Sequence, residues 1–495
     1  MPTMRLLTSS VVAAFVVGAA QGTPRFEPVQ PELFVAGGAF ANAWADVEGD
    51  GDLDLFVGFG GATANRLYRN DAGVFADMAG AAGLAEARAT RAAAWGDFDR
   101  DGDPDLLVGY TPGAGSVLRL YRNDGPRFVE ITAAVGLAVE TGAVRQPAWI
   151  DVDADGDLDL FVAFRDRANM LFRNQGGKFA DEAAALGLDD SRRSVGAVWF
   201  DHDDDGDLDL YVANMDGDAN ALMRNEGNRF VDAADAAGAA WGGRTPKDGT
   251  NGTVRPCAAD FNNDGRLDLF LANYGRNGLL LNRGSGRFED VSATWAAGID
   301  GRHDTCAVAD IDNDGRLDVY VNGTVTGGIS YRDYLIRNAG ARFEDVTPEN
   351  LLAMQASHGA QWADFDADGD LDLAIAGSRA DATHSLLRNL LPAADARRSL
   401  AIRVVDAEGR ATRAGAVVRV FAAGTRRLLA TRLVDTGSGY DSQNDMPVHV
   451  GLAALAAVDV EVTWPANGKA VTTAMKNVSP RDWAGRALIV NVPGK

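Results

Sequence analysis

Oxygen ligands at regular spacing dominate the chemistry this chain could perform. A nine-residue segment recurs seven times, its first residues 50 to 59 positions apart. The copies supply Asp46, Glu48, Asp50, Asp52 and Asp54; Asp97, Asp99, Asp101, Asp103 and Asp105; Asp151, Asp153, Asp155, Asp157 and Asp159; and Asp201, Asp203, Asp205, Asp207 and Asp209. Three more follow: Asp260, Asn262, Asp264, Arg266 and Asp268; Asp310, Asp312, Asp314, Arg316 and Asp318; and Asp364, Asp366, Asp368, Asp370 and Asp372. Oxygens at positions one, three and five converge if the backbone turns sharply at position six. Gly51, Gly102, Gly156, Gly206, Gly265, Gly315 and Gly369 stand there, the residue type that tolerates such a turn. Position seven is Asp or Arg, which suits a backbone carbonyl ligand, and the Asp at position nine can close the coordination sphere. This all-oxygen set favours Ca²⁺, about one per copy and up to seven in all. Asn262 and Glu48 depart from the pattern, so their loops are expected to bind weakest. A saturated cage leaves no open position for a substrate, so these sites read as structural rather than catalytic.

Each segment must be held by strands. An apolar run precedes it, with Trp two positions ahead of the first Asp at Trp44, Trp95, Trp149, Trp199 and Trp362. A β-rich run follows, then a variable loop. A third run ends in Leu-x-Arg-Asn at Asn70, Asn123, Asn174, Asn225, Asn338 and Asn389, with Asn282 divergent, and a fourth centres on Phe75, Phe128, Phe179, Phe230, Phe288 or Phe343. Four short strands per unit of about 50 residues is the pattern of a propeller blade. Seven Asp segments but six Phe strands leave the last blade one strand short. Arg25-Phe26-Glu27 resembles Arg342-Phe343-Glu344 and is expected to complete it, closing a seven-bladed β-propeller over 23–390. A linker at 391–397 then leads to a small β-sandwich-like domain at 398–495, which makes the chain all-β.

Composition narrows the function. The 495 residues are 46% hydrophobic and 24% charged, with 57 Gly and a net charge of −23, values that fit a globular β protein and oppose nucleic-acid binding. Nearly half of the 70 acidic residues sit in the seven segments, and seven bound Ca²⁺ would relieve that crowding. Residues 1–22 read as a cleavable signal peptide, too short in its apolar run for a membrane anchor, so a secreted or periplasmic protein is expected. Cys257 and Cys306 lie in equivalent first strands of adjacent blades, where either a disulfide or two buried thiols would fit. The five His residues have no metal-binding spacing and are expected at the surface or at strand ends.

The repeated segments with their following strands resemble FG-GAP or VCBS repeats of integrin α-subunit-like propellers. Gly437-Ser438-Gly439-Tyr440-Asp441-Ser442-Gln443-Asn444-Asp445, His449-Val450-Gly451-Leu452 and Trp464-Pro465 resemble the ASPIC/UnbV module. Together they cover almost the whole chain after the leader and point to the cartilage acidic protein family. That resemblance implies an extracellular Ca²⁺-binding protein engaged in adhesion or protein interaction. The Phe-Gly signature survives only as Phe59-Gly60, and no Arg-Gly-Asp occurs.

A non-enzymatic binding or adhesion module is therefore expected, with a protein or glycan ligand. The face opposite the acidic loops is the default surface, carrying Arg165, Asp166, Tyr274, Arg276, Tyr331, Arg332, His303 and the insertion Trp241 to Thr253. The rival readings are a carbohydrate-active lyase or hydrolase using His303, Lys247, Tyr274 or Tyr331, and a self-associating surface-layer component.

Overall fold

A computed structural model describes residues 22–493, apart from 62, 228, 242–250, 355–356, 380–383 and 466–467. The leader read at 1–22 lies outside these residues except for Gly22, as does most of the insertion at Trp241 to Thr253, including Lys247.

Antiparallel four-stranded sheets dominate. The first runs Ala39–Ala45, Asp54–Phe59, Arg66–Asp71 and Val74–Asp77, in that spatial order. Five more repeat it in chain order, each closed by its Phe strand, such as Phe128–Glu130 or Phe343–Asp345. A seventh is assembled from both ends of the repeats: Phe26–Pro28 pairs with Ser385–Asn389, placing Phe26 opposite Asn389. The expected N-terminal pairing is therefore present, and the sheets are consistent with propeller blades. The first strand of each sheet lies against that of the next, and Ala39–Ala45 of the first also lies against Ser357–Ala363 of the seventh. Trp indoles sit between neighbours: Trp95, Trp149 and Trp362 donate to Ala43, Ala94 and Ala307 carbonyls of the preceding sheet.

One-turn helices at Ala79–Ala82, Thr132–Val135, Ala183–Leu186 and Ala234–Ala237 follow four of the Phe strands. A left-handed glycine ends each, for instance Gly83 at φ +85°. The stretch 391–397 is not featureless: a further one-turn helix spans Ala393–Ala396.

Beyond it, Ser399–Val405, Val448–Gly451 and Leu488–Asn491 form one sheet, and Val417–Ala422, Leu428–Leu433, Val458–Pro465 and Ala470–Val478 another. The sheets share a core in which Ile402, Val404 and Val490 meet Val418, Val460 and Trp464.

This C-terminal module does not stand apart. Its segment Asp435 to Asp445 enters among the first strands of the repeats. Thr436 Oγ1 accepts from Trp199 N (3.0 Å) and donates to Trp199 O (2.8 Å). Gln443 exchanges two bonds with the Trp149 backbone (2.6 and 3.0 Å), and Asn444 Oδ1 accepts from Trp44 N (2.8 Å). Ser442–Gln443 pairs in parallel with Ala93 and Ala94, beside Trp95. Four successive sheets thus hold this plug at or beside the backbone of their Trp position, through polar groups that would otherwise be buried unpaired.

Candidate metal centres

Each acidic segment folds into the loop between the first and second strands of its sheet. The position-one carboxylate organises it. Asp151 accepts from Asp155 N (Oδ1, 3.0 Å) and Gly156 N (Oδ2, 3.0 Å), and Asp46, Asp201, Asp260, Asp310 and Asp364 repeat both bonds. The position-five carboxylate then accepts from the position-seven N–H, as Asp101 does from Asp103 (3.0 Å). The turn needs two left-handed residues, not one. Position six is always Gly, with φ +102° at Gly102, and position four is also positive, at +65° for Arg100 and +53° for Asn263. The sequence showed only the first.

Position nine ties the loop to its sheet. Asp105 Oδ1 accepts from Asn123 N (2.8 Å) and Oδ2 from Phe98 N (3.2 Å), and every copy repeats the first of these bonds. The strand-end Asn carries the link onward: Asn123 Nδ2 donates to the Val47 carbonyl of the preceding loop (3.0 Å), Asn174 to Phe98 (2.9 Å) and Asn70 to Phe365 (2.7 Å). Loop geometry and contact between sheets are therefore one hydrogen-bond system.

Potential ligand oxygens lie within 4.8 Å of one another in Asp97–Asp99–Asp101, Asp201–Asp203–Asp205, Asp151–Asp153–Asp159 and Asp310–Asp312–Asp318. These triads could hold metal ions. Burial raises the proton affinity of the loop carboxylates: Asp105 is pushed up to about 9, and Asp151, with Asp159 and Asp155 beside it, to about 8. Several buried carboxylate oxygens have no hydrogen-bond partner: Oδ1 of Asp97, Asp99 and Asp203, both oxygens of Asp312, and Asp370 Oδ1 and Asp372 Oδ2 in the seventh loop. A hard divalent cation would satisfy them, so the donor set fits the ion expected from the sequence.

Other loop residues are engaged elsewhere. Arg266 and Arg316 turn their side chains onto Asp264 and Asp314 and donate to the Asn282 (3.0 Å) and Asn338 (2.7 Å) carbonyls. Asp157 pairs with Arg100 (2.7 Å). Glu48 is held by Arg69, and Asn262 donates to Asp264 (3.0 Å), so the two departures from the pattern are tied to neighbours.

The C-terminal module lies on this acidic face. Arg432 Nη2 approaches Asp310 Oδ2 (3.3 Å), Arg413 approaches Asp151 (3.9 Å), Arg419 donates to the Gly265 carbonyl (2.9 Å), and His449 Nε2 meets Asn313 Oδ1 (2.8 Å). The third, fifth and sixth loops are thus contacted by protein.

Cys257 and Cys306 form a disulfide (S–S 2.13 Å) joining the first strands of the fifth and sixth sheets. Of the two placements expected for the histidines, the surface is corrected for His202, His303, His358 and His384, which are all buried, whereas His358 and His384 do lie at or next to strand ends. His358 Nδ1 meets Asp304 Oδ2 at 2.7 Å, and Tyr440 of the plug lies against its ring (3.9 Å between centroids). Among the proposed enzyme residues, His303 is buried, Tyr274 and Tyr331 are partly exposed, and Lys247 lies outside the described residues.

Family models agree with this architecture. FG-GAP-like repeats match residues 46–108, 151–212, 201–271 and 260–321, and the ASPIC and UnbV model matches 408–481. The chain is an FG-GAP-repeat protein with an ASPIC/UnbV domain. It is distantly homologous to cartilage acidic protein 1. The mouse protein is 27% identical over 389 residues, covering 75% of this chain and 48% of the relative. The human protein is 30% identical over 271 residues, covering 51% and 38%. The chain thus spans about half the length of these relatives or less. Among solved structures, an Agrocybe aegerita lectin specific for non-reducing terminal N-acetylglucosamine aligns with TM-score 0.38 at 18% identity, covering 69% of this chain and 86% of the lectin. BBS1N in complex with ARL6DN aligns with TM-score 0.47 at 11% identity, covering 75% and 98%. Among the described residues, no helix is long and apolar enough to cross a membrane.

Proposed function

We propose that this chain is an exported, calcium-loaded, seven-bladed propeller acting as a non-enzymatic binding or adhesion module toward a protein or glycan. The observation that carries the reading is the set of buried carboxylate oxygens without partners in the second, fourth, sixth and seventh loops. Position one, three and five carboxylates would hold the ion, with position nine fixing the loop to its sheet. Ring closure is supported by the Phe26–Pro28 pairing and by the Asn70 bond to Phe365, which joins the first sheet to the seventh. Export is supported by the Cys257–Cys306 disulfide and by the leader-like sequence at 1–22.

Calorimetric titration of the metal-stripped protein with calcium, with parallel melts and elemental analysis, tests this reading. Several equivalents should bind and raise the melting temperature. A protein that purifies without calcium and melts identically in chelator would refute it.

The enzyme reading has one observation in its favour, the buried Asp304–His358 pair with His358 Nε2 unpartnered. Turnover of uronate-containing or neutral polysaccharides that disappears in His358→Gln would establish it.

A further inference from the structure

The plug fills only part of the space inside the repeats. It is bound at or beside the Trp positions of the first four sheets, whereas the fifth and sixth carry Ala258 and Val308 where the others have Trp. Both smaller residues line a cleft of about 730 Å³ between the C-terminal module and the repeats. It runs from the first and seventh acidic loops inward to the Cys257–Cys306 disulfide. A volume of that order, between two parts of a chain, is typical of a ligand site.

Its inner end carries one buried amide, Gln361, 3% exposed and 3.1 Å from Ser438 Oγ of the plug, which gives its proton to Asp435 Oδ2 (2.6 Å). The walls beside it, Ala258, Val308 and Ala307, are small and apolar. At the mouth the module presents half-buried Trp483, Ile489 (50% exposed), and the guanidinium groups of Arg397 and Arg486. Facing them are Asp46, Asp50, Asp364 and Asp368 of the two acidic loops.

We propose that this cleft binds the end of an acidic polysaccharide, a uronate-type saccharide. A sugar ring offers a C–H face to Trp483 and a carboxylate to Arg397 and Arg486. A purely apolar ligand would use Trp483 but neither guanidinium group. The proposal deepens the binding-module reading and rests on it for one wall, because ions held in the first and seventh loops would turn that wall from repelling a carboxylate to attracting it.

Digalacturonate is the probe, with cellobiose as the neutral disaccharide, titrated calorimetrically into the full chain at fixed free calcium. Digalacturonate should bind saturably at one site, and cellobiose at least about tenfold more weakly, the scale set by a charge-assisted bond. Trp483→Ala and Arg486→Ala, both at the mouth, should each weaken digalacturonate about five- to tenfold with unchanged calcium content. Ala258→Phe, which fills the inner end, should abolish binding while the melt stays cooperative. Absence of saturable binding by calcium-replete protein, equal binding of the two disaccharides, or unaltered binding by both mouth variants would overturn the proposal. A protein that holds no calcium would instead refute the metal reading; binding that persists there, lost in the mouth variants, would support the cleft without it.

Discussion

Two arcs of the repeat region solve the same packing problem differently. In the first four sheets a Trp packs against the preceding neighbour, and the plug takes up backbone groups at or beside that Trp: Trp44, Ala93 and Ala94, Trp149, Trp199. In the fifth and sixth sheets Trp is absent, and a covalent bond between Cys257 and Cys306 joins the strands instead. One arc is held by a segment made late in the chain, the other by a local crosslink. A repeated sequence therefore need not give a symmetric interior, because the segment that enters it engages some copies and not others.

Chelation tests what the arcs share. We expect calcium removal to lower the melting temperature by on the order of 10 °C, since each ion at a hundredfold its dissociation constant contributes about 2.7 kcal/mol; calorimetric melts in calcium and in chelator measure it. Cutting the crosslink tests the second arc alone. Replacing both Cys257 and Cys306 with Ala should cost about 2–5 kcal/mol, the range for losing a native disulfide, and denaturant titration should show it without loss of calcium stoichiometry.

The first arc is addressed by Gln443→Ala, which leaves the buried Trp149 N–H and carbonyl without the amide that pairs them. About 2–3 kcal/mol should be lost. Limited proteolysis should then cut within 435–445 while the repeats stay intact; an unchanged digestion pattern would mean that the plug is held mainly by the module above it.

The smallest effect concerns pH. His384 is buried, and its ring Nδ1 donates to the Ala36 carbonyl (2.8 Å), so Nε2 must accept from Tyr68 Oη (2.8 Å). Burial holds this histidine neutral, its pKa lowered to about 4. The unfolded chain takes up the proton near pH 6.5 and the folded chain does not, so the stability is fully present above about pH 6.5 and is lost as pH falls toward 4. In calcium-saturated protein between pH 7 and 5, wild type should therefore lose more stability than His384→Gln, by about 1–2 kcal/mol.

Much of this was legible because it is repeated. Seven copies expose the acidic spacing, the obligatory Gly at position six, the strand-end Asn and the displaced N-terminal strand around Phe26. Single occurrences were not. Gln443 and Asn444 are ordinary polar residues whose partners are backbone groups, and backbone groups leave no mark on the sequence around Trp44 or Trp149. The edge strand Ala470–Val478 leaves little mark in the sequence because most of its residues are exposed or half-buried, so its apolar alternation is weak. Burial of the histidines has no periodic signal, and the second left-handed position has no residue signature because Arg100, Ala154 and Asn313 fill it as readily as Gly49.

The pairing of Phe26–Pro28 with Ser385–Asn389 also sets an order of events during synthesis. The strand at Phe26–Pro28 cannot find its place until more than three hundred and fifty further residues have followed it. Until then the growing array has two raw edges, one waiting and one not yet made. Assembly of this protein is consequently a problem of keeping that earlier segment idle and soluble until its partner strand has been made.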